Sequence, residues 1–452
     1  MENFVARVEA INNVVNSFAW GPLMLLLLVG TGVYLTVRVK WLQVTHFGRI
    51  LKNTIGTLFD KKKARDHGAN ISPFEAVTTA LAGTVGTGNI AGVTGAIFTG
   101  GPGAVFWMWV SAFFGMATKY AEVVLAMKYR KKVGGQWQGG AMYCIRDGMG
   151  KPWLAALFAW FALLASFGMG NIAQVNTIAS SVRTAAAAYF PWLRPEPVLL
   201  FTGMIVAILV AVVTVGGVKR IGMVMERLVP MVAAAYVLGS ATVLAAHWER
   251  LPAAFLAIFQ GAFAPEAVVG GTAGIGIRQA VRWGVSRGIF SNEAGLGSAP
   301  MAHAAAEAEP REQGLMGIFE VFLDTVVLCT LTALTILASD TIIYYGKVSG
   351  AELAAAALET VFGGSAAGGL AICVTLLALA TLISWQLYGV RCAGYLFGKK
   401  GEELYRLVYV AVILLGATMD LSAAWAVSDL LNGLMALPNL AMLLYLRKQI
   451  RE

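Results

Sequence analysis

The chain has 452 residues, of which 58% are hydrophobic and 13% are charged, and its formal net charge is +9. A soluble domain usually carries about a quarter charged residues, so this composition excludes an ordinary soluble protein. The cysteines and histidines are scattered without CxxC or metal-ligand spacing, which argues against a zinc site, a disulfide framework or a bound cofactor.

Apolar runs of about 20 residues recur along the chain, and this is the length that an α-helix needs to cross the hydrocarbon core. They predict an all-α, multi-pass membrane protein with about 11 transmembrane helices. The first run lacks a clear small-residue cleavage site, so we interpret it as a retained helix rather than a signal peptide. The predicted spans are residues 17–37, 73–98, 103–127, 152–181, 197–217, 228–246, 267–302, 314–337, 366–391, 406–418 and 421–446.

Lysine and arginine residues are concentrated in alternate connections between these spans. The connections at 38–72 and 128–151 are the most basic, and the C-terminal tail is basic as well. Because positively charged loops are retained in the cytoplasm, we predict that the N-terminus lies outside and the C-terminus inside a bacterial or archaeal plasma membrane.

Two stretches inside the predicted spans make poor helices. The first, Gly83 to Asn89, places three glycines within the second span, and glycine is about 1 kcal/mol worse than alanine in a helix interior. The second, Gly288 to Ser298, places Gly, Asn, Ser and a carboxylate where a lipid-facing helix should be apolar. Close helix–helix contacts would explain either stretch alone. Irregular backbone is otherwise tolerated where it lines a cavity, so together they predict two broken helices around a binding site.

The two stretches stand at the start of two blocks of five predicted helices, 73–246 and 267–446. An odd number of spans inverts the second block relative to the first, which is the arrangement of transporters with inverted repeats. We therefore predict a 5+5 core with one extra N-terminal helix. The predicted divisions are 1–72 for the extra helix and basic loop, 73–246 and 267–446 for the repeats, 247–266 for an external connection and 447–452 for a cytoplasmic tail.

A broken helix suits a zwitterion and a hard cation. Exposed amides at the N-terminus of a half-helix carry partial positive charge and bind a carboxylate. Freed carbonyls and nearby hydroxyls supply oxygen ligands, which suit sodium, and glycine lets a ligand approach the backbone closely.

The run GPGAVFWMWVSAFFGMATKYAE, from Gly101 to Glu122, resembles the signature of the alanine or glycine:cation symporter family. The segments Thr78 to Ile90 and Gly288 to Pro300 resemble that family too, and the similarity covers nearly the whole chain. The resemblance implies the leucine-transporter fold, with one extra helix before a ten-helix core. It also implies sodium-coupled import of alanine or glycine by alternating access.

The segment Val85 to Asn89 is similar to the Val-Gly-Leu-Gly-Asn stretch of bacterial leucine transporters. This resemblance implies that the amides of Thr87 and Gly88 bind the substrate carboxylate. Asn89 matches an asparagine that serves a second sodium site in those transporters, and here we assign it to the substrate site. The implied cation-binding groups are the carbonyls of Ala82 and Val85 and the hydroxyls of Thr381 and Ser384.

Three further side chains in apolar spans are candidates for substrate contact. Gln174 is either an interhelical hydrogen-bonding residue or the partner of the substrate amino group. Phe290 and Trp385 either pack in the core or cover the pocket and limit its volume, which would favour glycine and alanine over leucine. The predicted substrate site therefore comprises Thr84, Thr87, Gly88, Asn89, Gln174, Phe290, Ser291 and Trp385.

Charges within spans are rare and need partners. Three apart on one helix, Lys119 and Glu122 are expected to pair with each other. The carboxylates Glu320 and Asp324 either relay protons or pair with Arg278, Arg282 or Arg287, which we expect to line an outer water-filled vestibule. Glu293 is either a structural ligand at a helix end or a part of coupling, and the sequence leaves both open.

Several function classes compete with sodium symport. Proton-coupled symport of small amino acids is the nearest, through Glu320 or Asp324. A passive channel is disfavoured by two breaks and no continuous ring of like charges. No Ser/His pair, metal-ligand cluster or HExxH motif indicates an enzyme. The expected partners are small amino acids, sodium and membrane lipid rather than nucleic acid, and the oligomeric state is left open.

Overall fold

The computed structural model describes residues 20–58, 71–263, 276–339, 341, 343, 352–419 and 421–450. The first helices are α1 (Pro22–Arg38), α2 (Leu42–Thr45) and α3 (Phe47–Leu58). The second predicted span is split into α4 (Pro73–Thr84), a 3-10 turn (Thr87–Asn89) and α5 (Ala91–Gly100). The described residues are almost entirely helical, as the sequence predicts.

The remaining elements follow in chain order. They are α6 (Gly103–Lys128), β1 (Lys131–Val133), β2 (Gln136–Gln138), α7 (Ala141–Tyr143), α8 (Pro152–Phe167), α9 (Ala173–Tyr189), α10 (Pro195–Thr214), α11 (Gly217–Ala246), α12 (Leu251–Phe263), α13 (Ile277–Asn292), α14 (Pro300–His303), α15 (Pro310–Val321), α16 (Thr330–Ala338), α17 (Glu352–Phe362), α18 (Ala366–Thr418) and α19 (Leu421–Tyr445). Short π-helical segments join α7 to the loop before α8, α8 to α9, and α15 to α16.

Six helical stretches in the described residues are long and apolar enough to cross a membrane, and the bent pair of α4 and Thr87–Gly100 adds a seventh. The total of eleven spans and the inverted repeat stay predictions. The helix α10 shows why such stretches need lipid, because it exposes large apolar side chains along its length. These include Leu200, Phe201, Ile205 and Ile208.

Several helices extend beyond the apolar runs. The region 392–405, predicted as a connection, is helical within α18, which changes direction at Gly398 with a φ of 68°. The predicted connection 247–266 contains α12, and the basic segment 38–72 contains α3. The hydropathy signal misses the helical residues of 38–72 and 392–405 because apolar and polar residues alternate there, whereas α12 is apolar but has only 13 residues, fewer than a span needs. Within the predicted span 267–302, residues 267–275 lie outside the described part.

The helices form two layers around the broken segments. In one layer α6 packs against α13 and α15, and α1 packs against α6. In the other layer the long α18 packs along α8, α9 and α10. The 3-10 turn Thr87–Asn89 contacts α13 of the first layer and α9 and α18 of the second, so the first break lies between the layers.

One end of the bundle carries a short antiparallel hairpin, β1–β2, beside the basic residues Lys131, Arg146 and Lys399. We call this the basic end. Trp137 of the hairpin donates to Glu307 Oε1 at 3.1 Å, and the guanidinium of Arg130 lies 4.4 Å from the Trp137 ring. The hairpin thereby connects α6 with the segment that follows α14.

The start of α4 is defined locally. Ser72 and Glu75 form a reciprocal capping box, with Pro73 at the first helical position. Such a cap satisfies two amides that a helix start leaves free. The start of this half-helix is therefore fixed by its own residues, and the helix ends at Thr84 because the break begins there.

Candidate substrate and cation site

The bend in the second predicted span lies at Val85 and Gly86. The axis of α4 meets that of Thr87–Gly100 at 53°. In a continuous helix the amide of Gly86 would donate to the carbonyl of Ala82, but here it donates to Asn89 Oδ1 at 3.0 Å. The bend therefore removes the carbonyl of Ala82 from the helical hydrogen-bond ladder.

Two other helices approach the backbone at this bend. A Cβ built on Gly86 would collide with Thr381 Oγ1 of α18 and would lie 3.3 Å from Gln174 Oε1 of α9. Only glycine permits this approach, since any other residue places a carbon in the same space. The bend is thus enclosed by polar side chains from α9 and α18.

Gln174 lies beside the bend, as its assignment to the substrate site requires. Its Oε1 accepts hydrogen bonds from Thr87 Oγ1 at 3.0 Å and from the Thr87 amide at 3.4 Å. Its Nε2 donates to the carbonyl of Met169 at 3.1 Å. The Thr87 amide makes a long bond, beyond the usual range of about 2.7–3.2 Å, so a stronger acceptor would compete for it.

Asn89, Ser291 and Asp324 form a buried cluster on the other side of the bend. Asn89 Nδ2 donates to Asp324 Oδ1 at 2.7 Å, and Ser291 Oγ donates to the same oxygen at 3.1 Å. A Cβ on Gly88 would lie 3.3 Å from the Cα of Ser291, so the first break contacts the last turn of α13, directly before the second break. Asp324 was expected either to relay protons or to pair with an arginine, and its position beside Asn89 was not predicted.

The predicted cation ligands lie where α18 meets α4. Ser384 Oγ donates to the carbonyl of Thr79 at 2.8 Å, and Thr381 Oγ1 donates to Leu377 within its own helix at 3.2 Å. Both hydroxyl hydrogens are thereby directed at carbonyls, which leaves oxygen lone pairs for another partner. Ala82 and Val85, the other predicted ligands, belong to the adjoining end of α4 and the bend.

The two predicted aromatic residues are fully buried. Trp385 Nε1 donates to Glu293 Oε1 at 2.8 Å, and a Cβ on Gly170 would collide with the Trp385 ring. Phe290 precedes Ser291 in α13 and is 1% exposed. Thr84, by contrast, donates within its own helix to the carbonyls of Ala80 and Leu81. Substrate contact by these side chains stays a prediction.

The second break begins where α13 ends. Glu293 has a φ of 56°, and Gly295 and Gly297 have φ values of 94° and 78°. Glu122 of α6 accepts through one oxygen from the amides of Gly295 and Gly297, at 3.1 and 3.0 Å. Asn439 of α19 donates to that oxygen at 2.5 Å. Glu293 itself accepts from Ser298 and from Trp385, so its contacts are those of a structural ligand.

Lys119 pairs with Glu320 and not with Glu122, so the expected pairing within α6 is wrong. Lys119 Nζ lies 3.0 Å from Glu320 Oε1, and His303 Nε2 lies 2.9 Å from Glu320 Oε2. Both side chains of the ion pair are 0% exposed. The sequence could not show this pair, because its members are on different helices.

One of the three arginines considered as partners of Glu320 or Asp324 pairs with a different carboxylate. Arg287 forms a two-bond pair with Asp429 of α19, with both distances 2.8 Å. Arg282 and Arg287 line a cavity of about 40 Å³ with Trp20 and Asp429. The outer vestibule expected around these arginines stays a prediction.

A family model described as the sodium:alanine symporter family matches residues 5–452. The sodium/alanine symporter AgcS of Methanococcus maripaludis is 44% identical over 96% of this chain and 94% of its own length. A probable sodium/glutamine symporter, GlnT of Bacillus subtilis, is 37% identical over 98% of this chain and 89% of its own.

A solved structure of MhsT in complex with L-phenylalanine is similar in fold. Its TM-score is 0.59 at 15% sequence identity, with 85% of this chain and 90% of that chain covered. At this identity the likeness shows the fold alone. The family match and the identity to AgcS extend over nearly the whole chain, and the chain therefore belongs to the sodium:alanine symporter family and is a multi-pass membrane transporter.

Proposed function

We propose that the protein is a secondary active transporter that imports alanine, glycine or both together with sodium. The observation that carries this proposal is the bend at Gly86, where backbone groups freed from the helix face Gln174, Thr381 and the Asn89–Asp324 cluster. Broken helices at the centre of a transporter bind substrate and coupling ion in this way.

The substrate carboxylate would bind the amides of Thr87 and Gly88. These amides belong to the start of the second half of the broken helix, where the helix dipole favours a negative group. The Thr87 amide makes a long hydrogen bond to Gln174, so replacing that bond with one to the substrate carboxylate would cost little free energy. Once the carboxylate takes the amide, Gln174 Oε1 is free to accept from the substrate ammonium.

Sodium would bind between α4 and α18. The carbonyls of Ala82 and Val85 and the hydroxyls of Thr381 and Ser384 are oxygen ligands, which suit a hard cation. Sodium at this place would order the bend before the substrate arrives. That order of binding explains how a sodium gradient would drive uptake of the amino acid.

The large buried rings at the breaks favour a small substrate. Trp385 and Phe290 are both buried at the breaks, and Gly170 lies against the Trp385 ring. A side chain of the size of leucine would have to displace one of these rings, and core rings resist displacement. We therefore infer preference for alanine and glycine over leucine.

Transport would proceed by alternating access. The first break lies between a layer built on α6, α13 and α15 and a layer built on α18 and α8–α10. Rocking of one layer against the other would open the site to each side in turn. The basic end is the predicted cytoplasmic side, where both ligands would be released.

Proton coupling is the second candidate, and Asp324 favours it. Within the described residues this buried carboxylate bonds to neutral donors, Asn89, Ser291 and Thr325, and has no cation within salt-bridge distance. Glu320 is a weaker candidate because Lys119 neutralises it. A proton, the substrate ammonium or sodium would compensate the charge of Asp324.

Uptake of labelled alanine into proteoliposomes tests the proposal. Accumulation is expected with an inward sodium gradient and not with potassium, and excess glycine but not leucine should compete. Accumulation driven by a proton gradient without sodium would instead select the Asp324 alternative. No accumulation under either gradient, with protein shown to be folded, would contradict both.

A further inference from the structure

A cavity of about 600 Å³ opens at the basic end of the bundle. The residues that line it come from the β1–β2 hairpin, α7 and the π-helical segment after it, the junction of α10 and α11, and α18. Five of the lining residues are cationic and one is acidic. They are Lys131, Arg146, Arg391, Lys399 and Arg406, against Glu402.

Arg391 differs from the other cations of this cavity because it is buried without a carboxylate. Arg391 is 5% exposed, and its guanidinium donates to Gln136 Oε1 at 3.3 Å. Lys131 and Arg146, in contrast, both pair with Asp147. Among the described residues, no acidic group lies within salt-bridge distance of Arg391, and Glu402, the one carboxylate of the cavity lining, acts on it from beyond that distance. A buried charge is costly unless it is paired, so this position favours an anion.

The position of Arg391 relates the cavity to the substrate site. Arg391 follows Ser384 by two helical turns, so both side chains lie on one face of α18, about 10 Å apart along the helix axis. Tyr388 lies between them on that face, against Gly83 of α4. The hydrogen bond from Ser384 to Thr79 joins the same two helices. Separation of α4 from α18 would connect the first break with the cavity.

We propose that Arg391 binds the carboxylate of the amino acid at a second site, which the substrate occupies after it leaves the first break. This inference rests on the proposed function for the identity of the ligand. The guanidinium fork matches a carboxylate with two parallel hydrogen bonds, and the cavity is large enough for alanine or glycine. Arg391 would bind the amino acid on its way out to the basic end, and it does not take part in the first site.

The decisive transport experiment compares the two sides of the membrane. In proteoliposomes of known orientation, Arg391→Gln should raise the half-saturating alanine concentration at the basic end about tenfold, because a charged hydrogen-bonding pair is lost. The half-saturating concentration at the opposite side should change less than about twofold. Arg391→Lys should lie between, since an ammonium retains the charge without the planar fork.

Two matched variants separate binding from a structural role. Gln136→Ala removes the contact with the hairpin and keeps the guanidinium, and Arg146→Gln removes a cation of the same cavity that already has a carboxylate. Both should transport like wild type from either side. An effect of Gln136→Ala equal to that of Arg391→Gln, or an equal change on both sides in Arg391→Gln, would overturn the proposal.

A binding experiment tests the site independently of transport. Sodium propionate, compared with sodium chloride at equal ionic strength, should raise the Tm of the wild-type protein, and Arg391→Gln should reduce the rise to the part that binding at the Thr87 and Gly88 amides contributes. An undiminished rise in Arg391→Gln would overturn the second site. No rise in wild type would overturn the site without reference to any variant. A rise with inorganic phosphate but not propionate, or only with vesicles containing phosphatidylglycerol, would overturn the assignment to a carboxylate. Failure of sodium-driven uptake alone would contradict the proposed function and leave this result standing.

Discussion

The two breaks share a glycine-rich, polar sequence, but their freed backbone groups have different partners. At the first break, the amide of Gly86 bonds to an asparagine, and the amide of Thr87 makes a long bond to a glutamine. At the second, the amides of Gly295 and Gly297 both donate to the carboxylate of Glu122. The first break is therefore closed by neutral, exchangeable contacts and the second by a charged one.

This difference assigns different roles to the two breaks. Hydrogen bonds to a charged acceptor contribute roughly twice as much as neutral ones, so a ligand displaces neutral partners more easily. The second break is also connected to the buried ion pair of Lys119 and Glu320, since Lys119 and Glu122 lie one turn apart on α6. We expect changes near the second break to reduce stability and changes at the first to reduce transport.

Removal of one member of the buried ion pair should have the largest effect. Lys119→Met leaves Glu320 charged and buried with His303 as its neighbour, and loss of one partner of such a pair costs about 3–5 kcal/mol. The free energy of unfolding, measured by denaturant titration in detergent, should fall by this amount. Lys119→Met with Glu320→Leu should recover part of it, because no charge is then left unpaired. Wild-type stability in the single variant would contradict a structural role for the pair.

A side chain at the first bend should abolish transport. Gly86→Ala places a Cβ against Thr381 Oγ1 and Gln174 Oε1, which displaces the groups that we assign to sodium and substrate. Displacement of binding groups by about 1 Å commonly costs about a hundredfold in rate, and we expect at least that loss of sodium-driven alanine uptake.

Gly92→Ala is the matched control for this prediction. A Cβ at Gly92 of α5 meets no atom within 4 Å, so uptake should remain near wild type. Equal loss in both variants would mean that general packing, and not the site, is sensitive to the added carbon.

Loss of the Gln174 side chain should have a smaller effect than Gly86→Ala, and this effect should be on substrate binding. Gln174→Ala removes the acceptor that we assign to the substrate ammonium, and a hydrogen bond to a charged group contributes about 1.5–3 kcal/mol. The half-saturating alanine concentration should rise about tenfold to a hundredfold.

Asn171→Ala provides the comparison for Gln174, because the two residues lie close together in the chain. Asn171 Nδ2 donates to the carbonyl of Tyr409 at 2.8 Å, which is a contact between helices. This variant should lower Tm and leave the half-saturating concentration unchanged. A raised half-saturating concentration in Asn171→Ala, with only a lower Tm in Gln174→Ala, would assign substrate binding to Asn171 instead of Gln174.

Much of the fold and of the first break followed from local signals. Apolar length predicted the helices, and the glycines from Gly83 to Gly88 predicted the bend, because both effects arise within a few residues. The family resemblance then supplied Thr381 and Ser384, and the structure places Thr381 with Gln174 at the bend and Ser384 against Thr79 of α4. Local sequence alone could not have selected them, since polar residues in spans also serve helix packing.

The partners of the second break could not be predicted, because they come from distant parts of the chain. Glu122, Asn439 and Glu320 belong to three helices, and no spacing along the sequence relates them. Lys119 and Glu122 are neighbours on one helix face, and that proximity gave the wrong pairing. Two opposite charges spaced by one turn of a helix are expected to pair only where no residue of another helix competes. In this membrane core, Glu320 of another helix pairs with Lys119 instead.

The smallest effect on transport is expected from a change at one predicted sodium ligand, which tests whether the first break binds the cation. Ser384→Ala removes one hydroxyl oxygen from the predicted sodium site and the hydrogen bond to the Thr79 carbonyl. One neutral ligand is worth about 1 kcal/mol, so the half-saturating sodium concentration should rise about fivefold. At saturating sodium, the half-saturating alanine concentration should match wild type, because the hydroxyl does not contact the amino acid in our assignment. A change in alanine dependence without a change in sodium dependence would place Ser384 in the substrate site and leave sodium to the Asn89–Asp324 cluster.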